Sequence, residues 1–148
     1  MVDLTARPLT DGIDTSRNVY DVLEERGFIA DVSDGPGLRA ALADPAGRPI
    51  SVYVGFDPTA PSLHIGHLLS IMALAHFQRH GHRPIALIGG GTGMIGDPTD
   101  KASQRPILTL EQIEANIAGM RPQFARYLDF DGWRVGSNPA ALLVNNAD

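Results

Sequence analysis

Short apolar stretches alternate with helical stretches over most of this chain, and the alternation limits its fold more than any other feature. Strands are predicted at 50–55, 84–89 and 141–145, where β-branched and other apolar residues dominate. Helices are predicted at 63–81 and at about 109–128, where apolar residues recur at helical spacing. Strand, helix, strand, helix, strand implies a parallel sheet with right-handed crossovers. The expected fold class is therefore α/β.

The ends of the predicted helices are indicated by capping and breaking residues. Ser16 and Ser62 are predicted N-caps, because a serine hydroxyl accepts a hydrogen bond from an unpaired N–H of the first turn. Thr109 and Gln112 have the spacing of a capping box. Pro122 is predicted to kink or divide the last helix, because its ring removes a donor and clashes with the preceding turn.

One domain is expected to follow a short N-terminal tail. Residues 1–15 carry few apolar side chains and are predicted to be poorly ordered. From residue 16 onward, two short helices, the second at about 36–42, are expected to precede the sheet. The predicted domain occupies 16–148, a length sufficient for a buried core.

Composition excludes several classes of function. The chain has no cysteine, which rules out disulfides and cysteine metal sites and is typical of a cytoplasmic protein. Its formal net charge of −5 argues against a general nucleic-acid binder, which would need a basic surface. No stretch is long and apolar enough to span a bilayer, so no membrane association is expected.

The stretch YVGFDPTAPSLHIGH, at 53–67, combines a strand end, a turn and a helix start. His64 and His67 are predicted to lie three residues apart in the first helical turn, on one face. Phosphate binds readily at a helix N-terminus, and two imidazole donors beside it would respond to charge that develops on a phosphate. Gly66 would leave the approach free of side chain, and the Gly-Phe-Asp-Pro turn suits packing against an adenosine. These features predict an ATP site.

Two other interpretations of the histidines and glycines are less well supported. A zinc site at His64 and His67 lacks a third ligand at a recognisable spacing. The glycines at 91, 93 and 96 match a dinucleotide-binding pattern, which would indicate an oxidoreductase. Asp97-Pro98 follows at once, however, and a residue before proline avoids the helical conformation that this pattern requires.

The motifs together resemble those of class I aminoacyl-tRNA synthetases and, more narrowly, of bacterial tyrosyl-tRNA synthetases. His64-Ile65-Gly66-His67 matches the HIGH signature of class I, and the stretches at 53–67, 81–105, 127–130 and 138–148 resemble the tyrosyl enzymes in order and spacing. The resemblance implies a Rossmann-like sheet with ligands beyond the carboxyl ends of its strands.

The resemblance also implies roles for individual residues. The residues expected at ATP are Gly55, Phe56, Asp57, Thr59, His64, Gly66 and His67. Those expected at tyrosine are Tyr53, Thr92, Asp97 and Asn146, with Tyr53 paired to the substrate phenol and Asp97 to its ammonium. Lys101 and Arg105 are expected to act catalytically, by meeting the charge of departing pyrophosphate from a mobile loop. Ala102 departs from the family where a second lysine is sometimes found.

The activity implied is a ligase reaction in which tyrosine and ATP form tyrosyl-adenylate and the tyrosyl group passes to tRNA(Tyr). ATP would enter with Mg²⁺, no tightly bound cofactor or protein metal site is expected, and the family's enzymes are homodimers. The KMSKS-type loop and the main RNA-binding regions have no counterpart in the sequence. The chain is therefore expected to be a fragment, inactive alone, and the alternative is a stand-alone ATP- or tyrosine-binding module or an inactive relic.

Overall fold

A parallel three-stranded sheet with the order β1-β2-β3 lies at the centre of the computed structural model, which describes residues 14–91, 108–131 and 139–147. The elements, in chain order, are α1 (Val19–Glu25), α2 (Gly35–Ala41), β1 (Ser51–Phe56), α3 (Ile65–Arg79), β2 (Arg83–Ile88), α4 (Leu110–Phe124) and β3 (Leu142–Asn145). The predicted α/β class with crossover helices is confirmed, and each strand lies within one residue of its predicted position.

Only one face of the sheet is covered by helices among the described residues. Alternate side chains of β1 and β2, including Phe56, Ala86 and Ile88, are buried against α3 and α4. The opposite face carries Tyr53, which pairs in register with Ile85 and through it with Leu142. Tyr53 and Leu142 are 68% and 41% exposed. The period of two along a strand thus separates a buried face from an open apolar one.

Helices α1 and α2 form a second, smaller hydrophobic cluster against the other side of α3. Val19, Tyr20 and Leu23 pack with Leu42 and with Phe77 of α3. The predicted N-cap at Ser16 is wrong, because Asn18 caps α1 by accepting a hydrogen bond from the Tyr20 N–H. Ser16 instead hydrogen-bonds the carboxylate of Asp14.

Helix α4 begins as predicted and ends earlier. Thr109 and Gln112 form the expected capping box, in which each side chain accepts the other's backbone N–H. Pro122 was expected to divide the helix, yet α4 continues through it to Phe124. Pro122 lies on the exposed face, while Met120 and Phe124 on either side of it are buried in the main core and keep the last turn in place. None of the helices among the described residues is long and apolar enough to cross a membrane.

Candidate functional site

Helix α3 begins with two histidines that cap it. His64 is the N-cap, with extended backbone, and its Nδ1 accepts the Gly66 N–H over 3.1 Å. In return the His64 backbone N–H donates to Nδ1 of His67 over 3.3 Å. The predicted cap at Ser62 is therefore wrong, and α3 starts at Ile65 rather than at residue 63. His64 lies just outside the first turn instead of inside it.

The two imidazole rings are stacked, with centroids 3.7 Å apart. Each ring uses Nδ1 as an acceptor for a backbone N–H, so in the neutral form of each ring the proton must be on Nε2. Both Nε2–H groups thus remain as donors. The capping arrangement fixes the tautomer that a pair of hydrogen-bond donors to an anion requires.

The environment of His67 favours its neutral form. Burial lowers the pKa of His67, the nearby His64 ring lowers that pKa further, and the Asp57 carboxylate opposes both effects. A neutral His67 keeps the Nδ1 lone pair that the His64 N–H needs. The electrostatics of the pair and the cap are therefore consistent with each other.

Backbone donors at this helix start are partly used already. The Gly66 N–H bonds to the His64 ring, and the His67 N–H donates to the His64 carbonyl over 2.9 Å. The prediction of a simple N-terminal phosphate site is modified accordingly. The imidazole Nε2–H groups, more than the N–H groups of residues 66 and 67, are available to an incoming anion.

The presence of glycine at position 66 has a steric explanation that the sequence did not indicate. A Cβ at this position would lie 2.9 Å from Cε1 and 3.0 Å from Nδ1 of the His64 ring. The glycine was predicted to leave space for a ligand, and it leaves space for the capping ring itself. A side chain at Gly66 would move that ring and weaken the cap.

Phe56, at the end of β1, packs against the ring of His67. Its ring packs edge-on against His67 at 5.8 Å and against Phe124 of α4 at 4.9 Å. Phe56 was predicted to contact ATP, but its side chain is 3% exposed and forms part of the main core. The side chain therefore packs under the site, and only backbone at Phe56 remains for a nucleotide.

Three other predicted ATP contacts lie on the surface around the histidines. Gly55 is exposed on the open face of the sheet, and a Cβ there would have no atom within 4 Å. Asp57 and Thr59 are exposed in the loop between β1 and α3. The contacts of these residues with ATP stay a prediction.

Asn146 binds the start of the glycine-rich loop. Its Oδ1 accepts the Gly91 N–H over 2.8 Å, at the carboxyl edge of β2 and β3. The neighbouring Asn145 was not predicted as a site residue, yet a Cβ on Gly90 would lie 2.2 Å from its Oδ1. The Asn145-Asn146 pair at the end of a predicted strand was the signal available in the sequence. Asn145 packs against Gly90 and Asn146 against Gly91, two of the three glycines that follow β2.

Tyr53 is exposed on the open face of β1, away from the main core. A tyrosine in a strand is more often a packing residue, but among the described residues Tyr53 is not packed in that core. Four further predicted site residues, Thr92, Asp97, Lys101 and Arg105, lie outside the described residues. No group of three or more histidine or acidic ligands for a metal occurs within 14–91, 108–131 and 139–147.

The described residues line a small cavity at the start of α3 and a larger one away from it. One of about 240 Å³ lies between the start of α3 and the end of α4, beside His64 and Gln123. Another of about 730 Å³ lies between α1 and α2 and contains none of the predicted site residues. The smaller cavity is therefore the one that borders His64.

Comparison with known protein families identifies the fold that carries this site. A sequence model of the family described as class I tRNA synthetases (W and Y) matches residues 45–148. The chain belongs to this family. The matched part of the chain begins just before β1 and includes the histidine pair, α4 and β3.

Three curated relatives of the chain are named tyrosine–tRNA ligase. A tyrosine–tRNA ligase of Syntrophus aciditrophicus is 55% identical over 89% of the chain, and one of Desulfosudis oleivorans is 53% identical over 88%. A third, from Clostridium botulinum, is 51% identical over 88%. The chain spans 28–30% of the length of these relatives.

Two solved structures of similar fold are C-terminally truncated mitochondrial tyrosyl-tRNA synthetases. For that of Aspergillus nidulans the TM-score is 0.66 at 33% identity, and the match covers 88% of this chain and 38% of the Aspergillus chain. That of Coccidioides posadasii has a TM-score of 0.65 at 32% identity, with coverage of 88% and 36%. The Rossmann-like class of the fold is thus confirmed.

Proposed function

We propose that this chain binds tyrosine and ATP, forms tyrosyl-adenylate and passes the tyrosyl group to tRNA(Tyr). The observation that carries the proposal is the histidine pair at the start of α3, whose rings are fixed as Nε2–H donors by their own capping bonds. Membership of the W and Y family and the tyrosine–tRNA ligase name of the relatives support tyrosine as the amino acid.

In the proposed reaction a carboxylate oxygen of tyrosine attacks the α-phosphorus of ATP. A new O–P bond forms, the bond from the α-phosphorus to the bridging oxygen breaks, and pyrophosphate leaves with that electron pair. Negative charge shifts across the phosphate oxygens as this happens. Donors at His64 and His67 that are already oriented would stabilise that charge without reorganising, and no covalent intermediate on the protein is needed.

The proposed contacts follow from the positions of the residues. Gly55, Asp57, Thr59 and Gly66 would border ATP around the histidines, together with the backbone of Phe56. Tyr53 and Asn146 would border tyrosine at the open face and at the carboxyl edge. Thr92 and Asp97 are proposed to complete that pocket, and Lys101 and Arg105 to meet pyrophosphate.

The wider properties of the protein are also proposals. ATP would enter as its Mg²⁺ complex, with no tightly bound cofactor. We propose that 16–148 is the N-terminal part of the catalytic domain, that the complete protein is a homodimer, and that it acts in the cytoplasm. The tRNA would be bound mostly by regions outside this chain.

Tyrosine-dependent exchange of radioactive pyrophosphate into ATP tests the proposal directly. The assay uses the complete protein that contains this chain, with tyrosine, tryptophan or phenylalanine as the amino acid. Exchange with tyrosine and little with the other two supports the proposal. Exchange with tryptophan alone would assign the other substrate of the family, and binding of ATP or tyrosine without exchange would favour a stand-alone binding module.

A further inference from the structure

The loop that leads from β1 to the histidine pair rests on one side of α4. We infer that Asn116 and Gln123 of α4 are positioning residues, which hold this loop and thereby set the placement of His64. The inference rests on the proposed function, because it assigns these residues a role in adenylate formation.

Asn116 holds the beginning of the loop. Its side-chain Nδ2 donates to the Pro58 carbonyl over 2.8 Å. Asn116 and Pro58 are 58 positions apart in sequence, so only tertiary structure brings them together. Pro58 itself is buried, although Asp57 and Thr59 on either side are exposed. The hydrogen bond thus fixes the loop where it leaves the sheet.

Gln123 holds the end of the loop through both the oxygen and the nitrogen of its side-chain amide. Its Oε1 accepts the Leu63 N–H over 3.0 Å, and its Nε2 donates to the Pro61 carbonyl over 3.1 Å. The same Nε2 donates to the Gly119 carbonyl over 2.8 Å, which anchors the side chain to its own helix. Leu63 directly precedes the N-cap His64. Gln123 therefore fixes the residue from which the capping histidine extends.

Gly119 lets the loop lie close to the α4 backbone. A Cβ at this position would be 2.5 Å from the Pro61 carbonyl oxygen and 2.9 Å from its Cβ. A helical glycine normally destabilises a helix relative to alanine. Here the absent side chain allows the contact on which the Gln123 hydrogen bonds depend. Asn116, Gly119 and Gln123 recur at spacings of three and four, which places them on one side of α4.

The loop depends on these contacts because it has few of its own. Pro58 and Pro61 have no backbone N–H. Outside helices and strands, no backbone–backbone hydrogen bond involves residues 58–63 in the part of the chain that the structure describes. The donors and the acceptor on α4 supply the hydrogen bonds that the loop backbone cannot make internally. Loss of them would let the start of α3 shift relative to the sheet.

Such a shift would affect the rate more than binding. Contacts that strengthen in the transition state depend on placement within a fraction of an ångström, and a misplacement of about 1 Å can cost about 100-fold in rate. Substrate binding draws on many more contacts. Gln123→Met, which keeps length and removes all three hydrogen bonds, should therefore lower kcat about 10- to 100-fold with a much smaller change in KM for ATP.

The test is a double-mutant cycle in the complete protein, measured by tyrosine-dependent pyrophosphate exchange. Gln123→Met is made in the unsubstituted protein and in a His64→Asn background. If Gln123 acts through His64, its replacement costs about tenfold or more in the first background and less than about threefold in the second. Glu114→Gln, exposed on the same helix, is the control and should change neither rate. Asn116→Ala is examined in the same way where Gln123→Met does not fold.

Each outcome is decisive. Unequal losses in the two backgrounds support the inference, whereas equal losses would mean that Gln123 only stabilises the fold and would overturn it. Absence of exchange in the unsubstituted protein would overturn the proposed function itself and this inference with it. Gly119→Ala is a second test of the inference. Alanine favours a helix, yet its Cβ would push the loop away from α4, so this variant should lower kcat.

Discussion

The backbone N–H of His64 donates to Nδ1 of His67, while the ring of His64 stacks on the ring of His67 with centroids 3.7 Å apart. One pair of side chains thus caps the N-terminus of α3 and presents two oriented donors. The structural and the chemical role use different nitrogens of the same rings, Nδ1 for the cap and Nε2 for the ligand. Substitutions can therefore separate the two roles.

Replacing His64 by Asn and His67 by Gln should preserve the helix start and remove the proposed donors. Asparagine is a good N-cap, and glutamine at the third helical position completes a capping box. We expect nearly unchanged thermal unfolding and a fall of about 100- to 1000-fold in kcat of pyrophosphate exchange for each variant. The KM for ATP should change much less. Parallel losses of binding and rate would contradict a role confined to the transition state.

Thr109→Ala should destabilise the protein, whereas Ser62→Ala should have little effect. Thr109 caps α4 reciprocally with Gln112, and loss of an N-cap costs about 1 kcal/mol. Ser62 is exposed and precedes the true cap of α3 by two residues. Urea unfolding of both variants gives the comparison. An equal loss of unfolding free energy at Ser62 would indicate that α3 is capped by serine after all.

Acid should destabilise the fold through buried His82. Its Nδ1 accepts the Ile50 N–H, and burial lowers its pKa, an effect that the Leu42 backbone opposes and that His80 slightly increases. Because the folded pKa is below the unfolded value of about 6.5, the unfolded chain binds more protons in that range. The neutral form stabilises the protein above that value, and stability is lost as the pH falls below it towards the lowered folded pKa.

The measurement is the urea midpoint between about pH 7.5 and pH 5.5. His82→Asn retains an acceptor near the position of Nδ1 and should reduce the dependence on pH, even if it lowers stability at every pH. His76, whose pKa is also lowered by burial and then by Arg26, should account for part of the remaining dependence. A variant with the full pH dependence of the parent would rule out His82 as a source.

Tyr53→Phe should alter substrate preference and leave the fold unchanged. Tyr53 is exposed on the open face of the sheet, so loss of its hydroxyl should shift unfolding by less than about 0.5 kcal/mol. If that hydroxyl pairs with the substrate phenol, the preference for tyrosine over phenylalanine should narrow by about 1 kcal/mol, or about fivefold. Exchange rates with both amino acids, each measured as kcat/KM, give the ratio. An unchanged ratio would remove Tyr53 from the tyrosine pocket.

Local patterns in the sequence were sufficient for the fold class and for the location of the site. Apolar periodicity places each strand within one residue of its observed position, because the spacing of side chains along a strand or helix is a local property. The Thr109–Gln112 cap was predictable for the same reason, since both partners lie within one turn. The HIGH residues indicated a class I synthetase without any structure.

Only the tertiary structure decided how that site is built. The sequence predicted Ser62 as the cap of α3, whereas His64 is the cap, and the Leu63 N–H that precedes it donates to Gln123 of α4, 60 positions away. It is also folding that buries Phe56 beneath His67 and leaves Tyr53 exposed, since a strand pattern does not say which face helices cover. The sequence predicted which residues lie near the proposed site. The folded structure determined which nitrogen of each histidine can donate to a ligand, which face of the sheet is covered, and which contacts hold the loop.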